Sequence, residues 1–75
     1  MTDTMYNAAL LHFKSKREES LASLEIYLRN PVGIGDHSNF LDEIKKLTLS
    51  LSDAEECIGV LEKYHLRLVG EKILK

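Results

Sequence analysis

The second half of the chain carries apolar residues at a spacing that very few folds accept: Phe40, Ile44, Leu47, Leu51, Ala54, Ile58, Leu61, His65 and Leu68. Steps of four and three alternate without a slip, and His65 is the one polar member. On a helix this period holds a stripe on one face and suits left-handed supercoiling against a second helix. Such a seam is stable only when something covers it.

Part of the cover lies in the same chain. Tyr6, Leu10, Phe13, Arg17, Leu21, Leu24 and Leu28 recur at steps of three and four and predict an amphipathic helix over about residues 4–29. Lys14, Lys16, Glu18, Glu19 and Glu25 fall between them, as a solvated face requires. Next comes Asn30-Pro-Val-Gly-Ile-Gly-Asp36, with the only proline and two of the four glycines. Proline cannot continue a helix and pushes the preceding residue out of the α region, while glycine permits a sharp reversal. Asp36 or Ser38 can cap the following helix, and Asp42 and Glu43 suit its positive end.

The pattern therefore predicts a turn at 30–37 and a second helix over about 38–74. One stretch is ambiguous. Thr48 to Ser52 alternates as a strand would, and Ser52-x-x-Glu55 has the form of a capping box that would restart the helix at Asp53. The unbroken heptad favours one continuous helix.

Folding the chain at the turn pairs Leu28 with Phe40, Leu24 with Ile44, Leu21 with Leu47 and Arg17 with Leu51. The series continues with Phe13 on Ala54, Leu10 on Ile58 and Tyr6 on Leu61. The two residue numbers add to 67 or 68 in every pair, so two independently read stripes agree on one turn. Arg17 is the odd member. Its stem can cover Leu51 while the guanidinium reaches outward, toward Glu55. The sharper alternative is a buried charge that fixes the register.

The fold class that follows is all-α: an antiparallel helical hairpin forming a single domain over residues 1–75. A chain of this size buries only about 60% of its unfolded surface. Small domains usually make up the shortfall with disulfides, a metal or oligomerisation. Cys57 is the only cysteine, so no disulfide can form within the chain. The first helix reaches only to about Leu61, which leaves residues 65–75 without a partner. This tail still carries Leu66, Leu68, Val69, Ile73 and Leu74. Dimerisation into a four-helix bundle would cover it. The interface expected on this reading is Leu41, Cys57, Tyr64, Leu68, Val69 and Ile73. A frayed tail is the plainer alternative.

Candidate chemistry is sparse. Glu62-x-x-His65 matches one element of di-iron four-helix sites, but the layer facing it, Asp3 to Tyr6, holds no glutamate. The favoured reading is a polar residue that fixes the register and a solvated glutamate. Cys57 has no histidine at helical spacing and reads as a structural thiol. Val32-Gly-Ile-Gly-Asp36 lacks the strand and the Gly-Lys-Ser/Thr ending of a phosphate loop. Lys14-Ser-Lys-Arg17 is the only basic cluster, and two glutamates follow it directly. No catalytic, cofactor-binding or metal-binding residue is expected.

Ten basic and twelve acidic residues give a formal net charge of −2, which points away from a dedicated nucleic-acid or membrane-surface binder. No apolar run approaches the roughly 20 residues of a membrane span. The N-terminal residues lack the basic and apolar regions of a secretory signal, so the expected compartment is the cytoplasm.

The turn and its flanks carry a resemblance. Asn30-Pro-Val-Gly-Ile-Gly-Asp-His-Ser38 follows Glu19-Ser-Leu-Ala-Ser-Leu-Glu25 and precedes Leu61-Glu-Lys-Tyr64. Together they resemble small uncharacterised helical-hairpin proteins of large tailed phages, of T-even-like and cyanophage types. The likeness covers about residues 17–65 and departs at Asp36, where that family carries glutamate. It implies a hairpin and a viral origin, hence the host cytoplasm, and it implies no chemistry.

The expected function is a non-enzymatic protein–protein association module, a phage-type accessory or assembly protein forming a homodimer through its helices. One alternative is a hetero-adaptor that captures a partner helix with the C-terminal apolar face. Another is weak nucleic-acid binding through Lys14, Lys16 and Arg17.

Overall fold

The computed structural model describes the backbone of residues 2–29 and 37–70. Three helices follow in order: α1 (Thr2–Arg29), α2 (His37–Lys63) and α3 (His65–Val69). The described residues contain no strand. α1 and α2 pack side by side, and α3 touches α1. The turn expected at 30–37 lies outside the described residues, apart from His37.

Contacts near both ends of the pair establish the antiparallel register. The Tyr6 hydroxyl donates to the Leu61 carbonyl at 2.8 Å, and the Tyr27 and Phe40 rings lie 5.6 Å apart. Tyr6 thus meets Leu61 as expected, and Phe40 meets Tyr27. The result is a rod of 59 × 16 × 15 Å with a radius of gyration of 17.1 Å. A compact globule of this length would have about 11 Å.

The seam of α2 is the one expected from Phe40 to Leu61. Ala54 and Ile58 are buried, and Phe40, Ile44, Leu47, Leu51 and Leu61 are half-buried. The stretch from Thr48 to Ser52 is helical throughout. Thr48 turns its hydroxyl back onto the Ile44 carbonyl at 2.7 Å, which satisfies a β-branched polar residue inside a helix. α2 begins at His37, with no acidic residue in its first turn; Asp36 lies outside the described residues.

The stripe of α1 differs from the expected one at two places. Its inward positions are Tyr6, Leu10, Phe13, Arg17, Ser20, Leu24 and Tyr27, while Leu21 and Leu28 are exposed at 39% and 60%. The corrected steps are four, three, four, three, four, three, the same period as α2. Two helices can stay in contact over seven layers only if their stripes drift at the same rate. Choosing the leucine at 21 and at 28 breaks that match by one residue.

Ser20 is thereby placed in the seam and is only 3% exposed. Its hydroxyl meets that of Ser50 across the seam at 3.2 Å, so each covers the other's hydrogen-bonding demand. Arg17 also departs from expectation. Its Nε lies 3.1 Å from Glu18 Oε2 on its own helix, not near Glu55, and its side chain keeps 32% of its exposure. It is a snorkelling residue.

The second helix is not continuous to 74. α2 ends at Lys63 and Tyr64 leaves helical geometry, with φ −104° and ψ 18°. The break falls beside a contact across the seam: the Tyr6 hydroxyl donates to the Leu61 carbonyl, three residues before Tyr64. The His65 ring packs edge-on against the Tyr6 ring at 4.8 Å, so His65 is not left over as the sequence suggested. α3 then stops at Gly70, whose φ of 91° suits glycine, and whose N–H closes on Leu66 O at 2.9 Å.

Two stability measurements check these contacts. Tyr6→Phe should lower unfolding stability by about 1 kcal/mol, because the part-buried Leu61 carbonyl loses its donor. Chemical denaturation followed by helical circular dichroism reads this, and an unchanged midpoint would refute the role of the hydroxyl. Ser20→Ala and Ser50→Ala should each cost about 1 kcal/mol, whereas the double variant should cost less than their sum. Strict additivity in that cycle would show that the two hydroxyls do not interact.

Candidate protein interface

Two helices bury one strip of each other and leave the remaining surface to solvent. Among the described residues only Ala54 and Ile58 are buried hydrophobics. The exposed large ones are Met5, Leu11, Leu21, Ile26, Leu28, Leu41, Leu49, Val60, Tyr64, Leu66 and Leu68, at 39% to 66%. The question for function is whether any of them form a coherent surface.

The six interface residues expected from sequence do not form one patch. Leu41, Tyr64 and Leu68 are exposed at 53%, 43% and 52%, and Cys57 and Val69 are half-buried. Ile73 lies outside the described residues. Cys57 and Tyr64 are seven apart on one flank of the α2 seam. Leu41 and Val69 belong by helical period to the opposite flank. Leu41 and Leu68 are also separated by roughly 40 Å along the axis, at about 1.5 Å per residue.

The flank bearing Cys57 has shape. An open groove of about 650 Å³ runs beside the seam, lined by Phe13, Asp53, Glu56, Cys57, Val60 and Leu61. A smaller depression of about 170 Å³ continues it toward the turn, between His12, Phe13 and Lys16 of α1 and Ser50, Asp53 and Ala54 of α2. Phe13 lines both hollows, and the small Ala54 lines the smaller one beside it. Sequence reasoning missed Val60, Asp53 and Glu56. The signal was present: Asp53, Cys57, Val60, Tyr64 and Arg67 form a second four-three repeat, beside the main seam.

The other candidate groups are engaged with their neighbours. Lys14 reaches Glu62 across the hairpin at 4.0 Å, Lys16 pairs with Glu19 at 3.7 Å, and Arg17 with Glu18. The basic cluster is thus matched residue by residue with carboxylates. These pairs are exposed and contribute at most about 1 kcal/mol each. Glu62 turns to Lys14 and His65 to Tyr6, so the Glu-x-x-His pair does not converge on a common point. Among the described residues, no three His, Cys, Asp or Glu side chains cluster as a metal site would require. No described helix is long and apolar enough to cross a membrane.

No protein-family model, curated protein or solved structure matches this chain.

Gly59 lies on the other side of the α2 seam from the groove, and a Cβ built there meets nothing within 4 Å. Gly59→Ala should therefore raise stability by about 1 kcal/mol through helix propensity alone. A lower thermal midpoint for this variant would show that position 59 is not in open space.

Proposed function

We propose that the chain is a non-enzymatic protein–protein association module that pairs with itself, two hairpins forming a four-helix bundle. The observation that carries this reading is the imbalance of apolar surface: two buried hydrophobics against eleven exposed large ones among the described residues. The accessible surface is 5861 Å². A compact monomer of 8.5 kDa would expose about 4,700 Å², roughly 1,200 Å² less. A stable interface typically takes about 800 Å² from each partner, so the excess is of the right size for one dimer contact. The phage accessory or assembly role, acting in the host cytoplasm, rests on the Pro-Val-Gly-Ile-Gly turn and its flanking motifs.

A second reading has its own support. Leu66 and Leu68 on α3 are 55% and 52% exposed, at the end of the rod, where a helix of another protein could dock. Sedimentation equilibrium of the pure chain separates the two. Self-association gives a mass of twice 8.5 kDa at micromolar concentration. A single-chain mass throughout the accessible concentration range would refute it and favour the adaptor.

A further inference from the structure

Self-association, taken as the function above, leaves open which face is used and in what direction. The charges along the groove flank decide this. Near the turn, Lys16 pairs with Glu19 and Lys46 with Glu43 at 3.3 Å, while Glu25, Arg29, Asp42 and Lys45 form no ion pair among the described residues. Among the described residues Asp53, Glu56, Lys63 and Arg67 form no ion pair, and Lys63 rests over the Tyr64 ring at 5.5 Å.

The order of these four is acid, acid, base, base, at −7, −4, +3 and +7 residues from Val60, with Arg67 on α3 beyond Tyr64. A second copy laid antiparallel, with the two-fold axis at Val60, brings Asp53 opposite Arg67 and Glu56 within one residue of Lys63, twice over. Cys57 then faces Tyr64, and the two Val60 side chains meet on the axis. A parallel copy would instead set Asp53 against Asp53 and Lys63 against Lys63. Self-complementarity of this kind is what a two-fold interface requires, and like-charge juxtaposition disfavours the parallel arrangement.

We propose that the groove flanked by Cys57, Val60 and Tyr64 docks the same groove of a second copy, antiparallel and centred on Val60. The overlap covers the halves of the two rods away from their turns. The dimer is therefore longer than one hairpin, with the turns at its far ends.

Cysteine cross-linking tests the geometry. Packed helices run about 8–10 Å apart, and a disulfide needs Cα atoms within about 7 Å. Val60→Cys in a Cys57→Ser background should therefore form a disulfide dimer under mild oxidation. Cys57 in the native chain should not, because two offsets of three residues separate the thiols by about 9 Å along the axis. Glu55→Cys in the same background, on the other flank, should also remain uncross-linked. Rapid cross-linking through native Cys57 or Glu55→Cys, with none through Val60→Cys, would overturn the proposal.

Charge reversal tests the pairing without altering the groove. Asp53→Lys with Glu56→Lys, and separately Lys63→Glu with Arg67→Glu, should each weaken the homodimer about ten-fold or more at low salt. Mixing the two variants should restore a dimer of wild-type affinity. A wild-type dimer indifferent to both reversals would overturn this face and leave self-association standing. A monomeric wild type would remove both.

Discussion

Everything in this molecule follows from the need of two helices to drift together. A hairpin of two long helices has no third layer, so its only core is the line along which the two stripes face each other. That line persists from Tyr27–Phe40 to Tyr6–Leu61 because both helices carry the same seven-residue period. Matching is so strict that it overrides side-chain chemistry: a serine is drawn into the seam at position 20 and leucines are left out at 21 and 28. The ends are then closed by aromatic side chains, Tyr27 on Phe40 at one and Tyr6 on His65 at the other.

The same constraint explains why the candidate function lies on the flanks. A seam one residue wide leaves the neighbouring positions of each helix half-covered, and here one side of α2 is apolar beside Phe13 while the rim is charged. The groove and the acid–base series from Asp53 to Arg67 lie in the same half of the rod. The opposite flank is bridged by Lys14 and Glu62. A rod with one grooved flank and one bridged flank has a defined front and back, which a hairpin uniform around its circumference would lack.

Much of the fold was legible in the residues. The α2 seam could be read directly because every position from Phe40 to Leu61 is apolar, and the register followed from the proline–glycine turn. The α1 stripe was less legible because hydrophobicity and period disagree at 20–21 and 27–28, and leucine is the more conspicuous choice. The break at Tyr64 could not be read locally. It lies beside a contact from a hydroxyl 55 residues away in sequence, and nothing between Leu61 and Leu68 announces it. The expected interface mixed two flanks because apolar residues were collected by type and not by their angle around the helix. The acid–base order from Asp53 to Arg67 was in plain view but acquires meaning only once the groove beside it is known.

The serine pair has a further consequence. A strict heptad is a periodic landscape: sliding one helix past the other by seven residues returns apolar groups to apolar groups, and the hydrophobic effect alone distinguishes such states weakly. The Ser20–Ser50 contact breaks that translational degeneracy. A shift of one heptad would part the two hydroxyls, setting Ser20 against Glu43 or Cys57 and Ser50 against Tyr27 or Phe13. A polar pair in the seam thus distinguishes one minimum from a ladder of near-equivalent ones. Replacing it with leucine would deepen every rung and leave the chain less certain which to occupy.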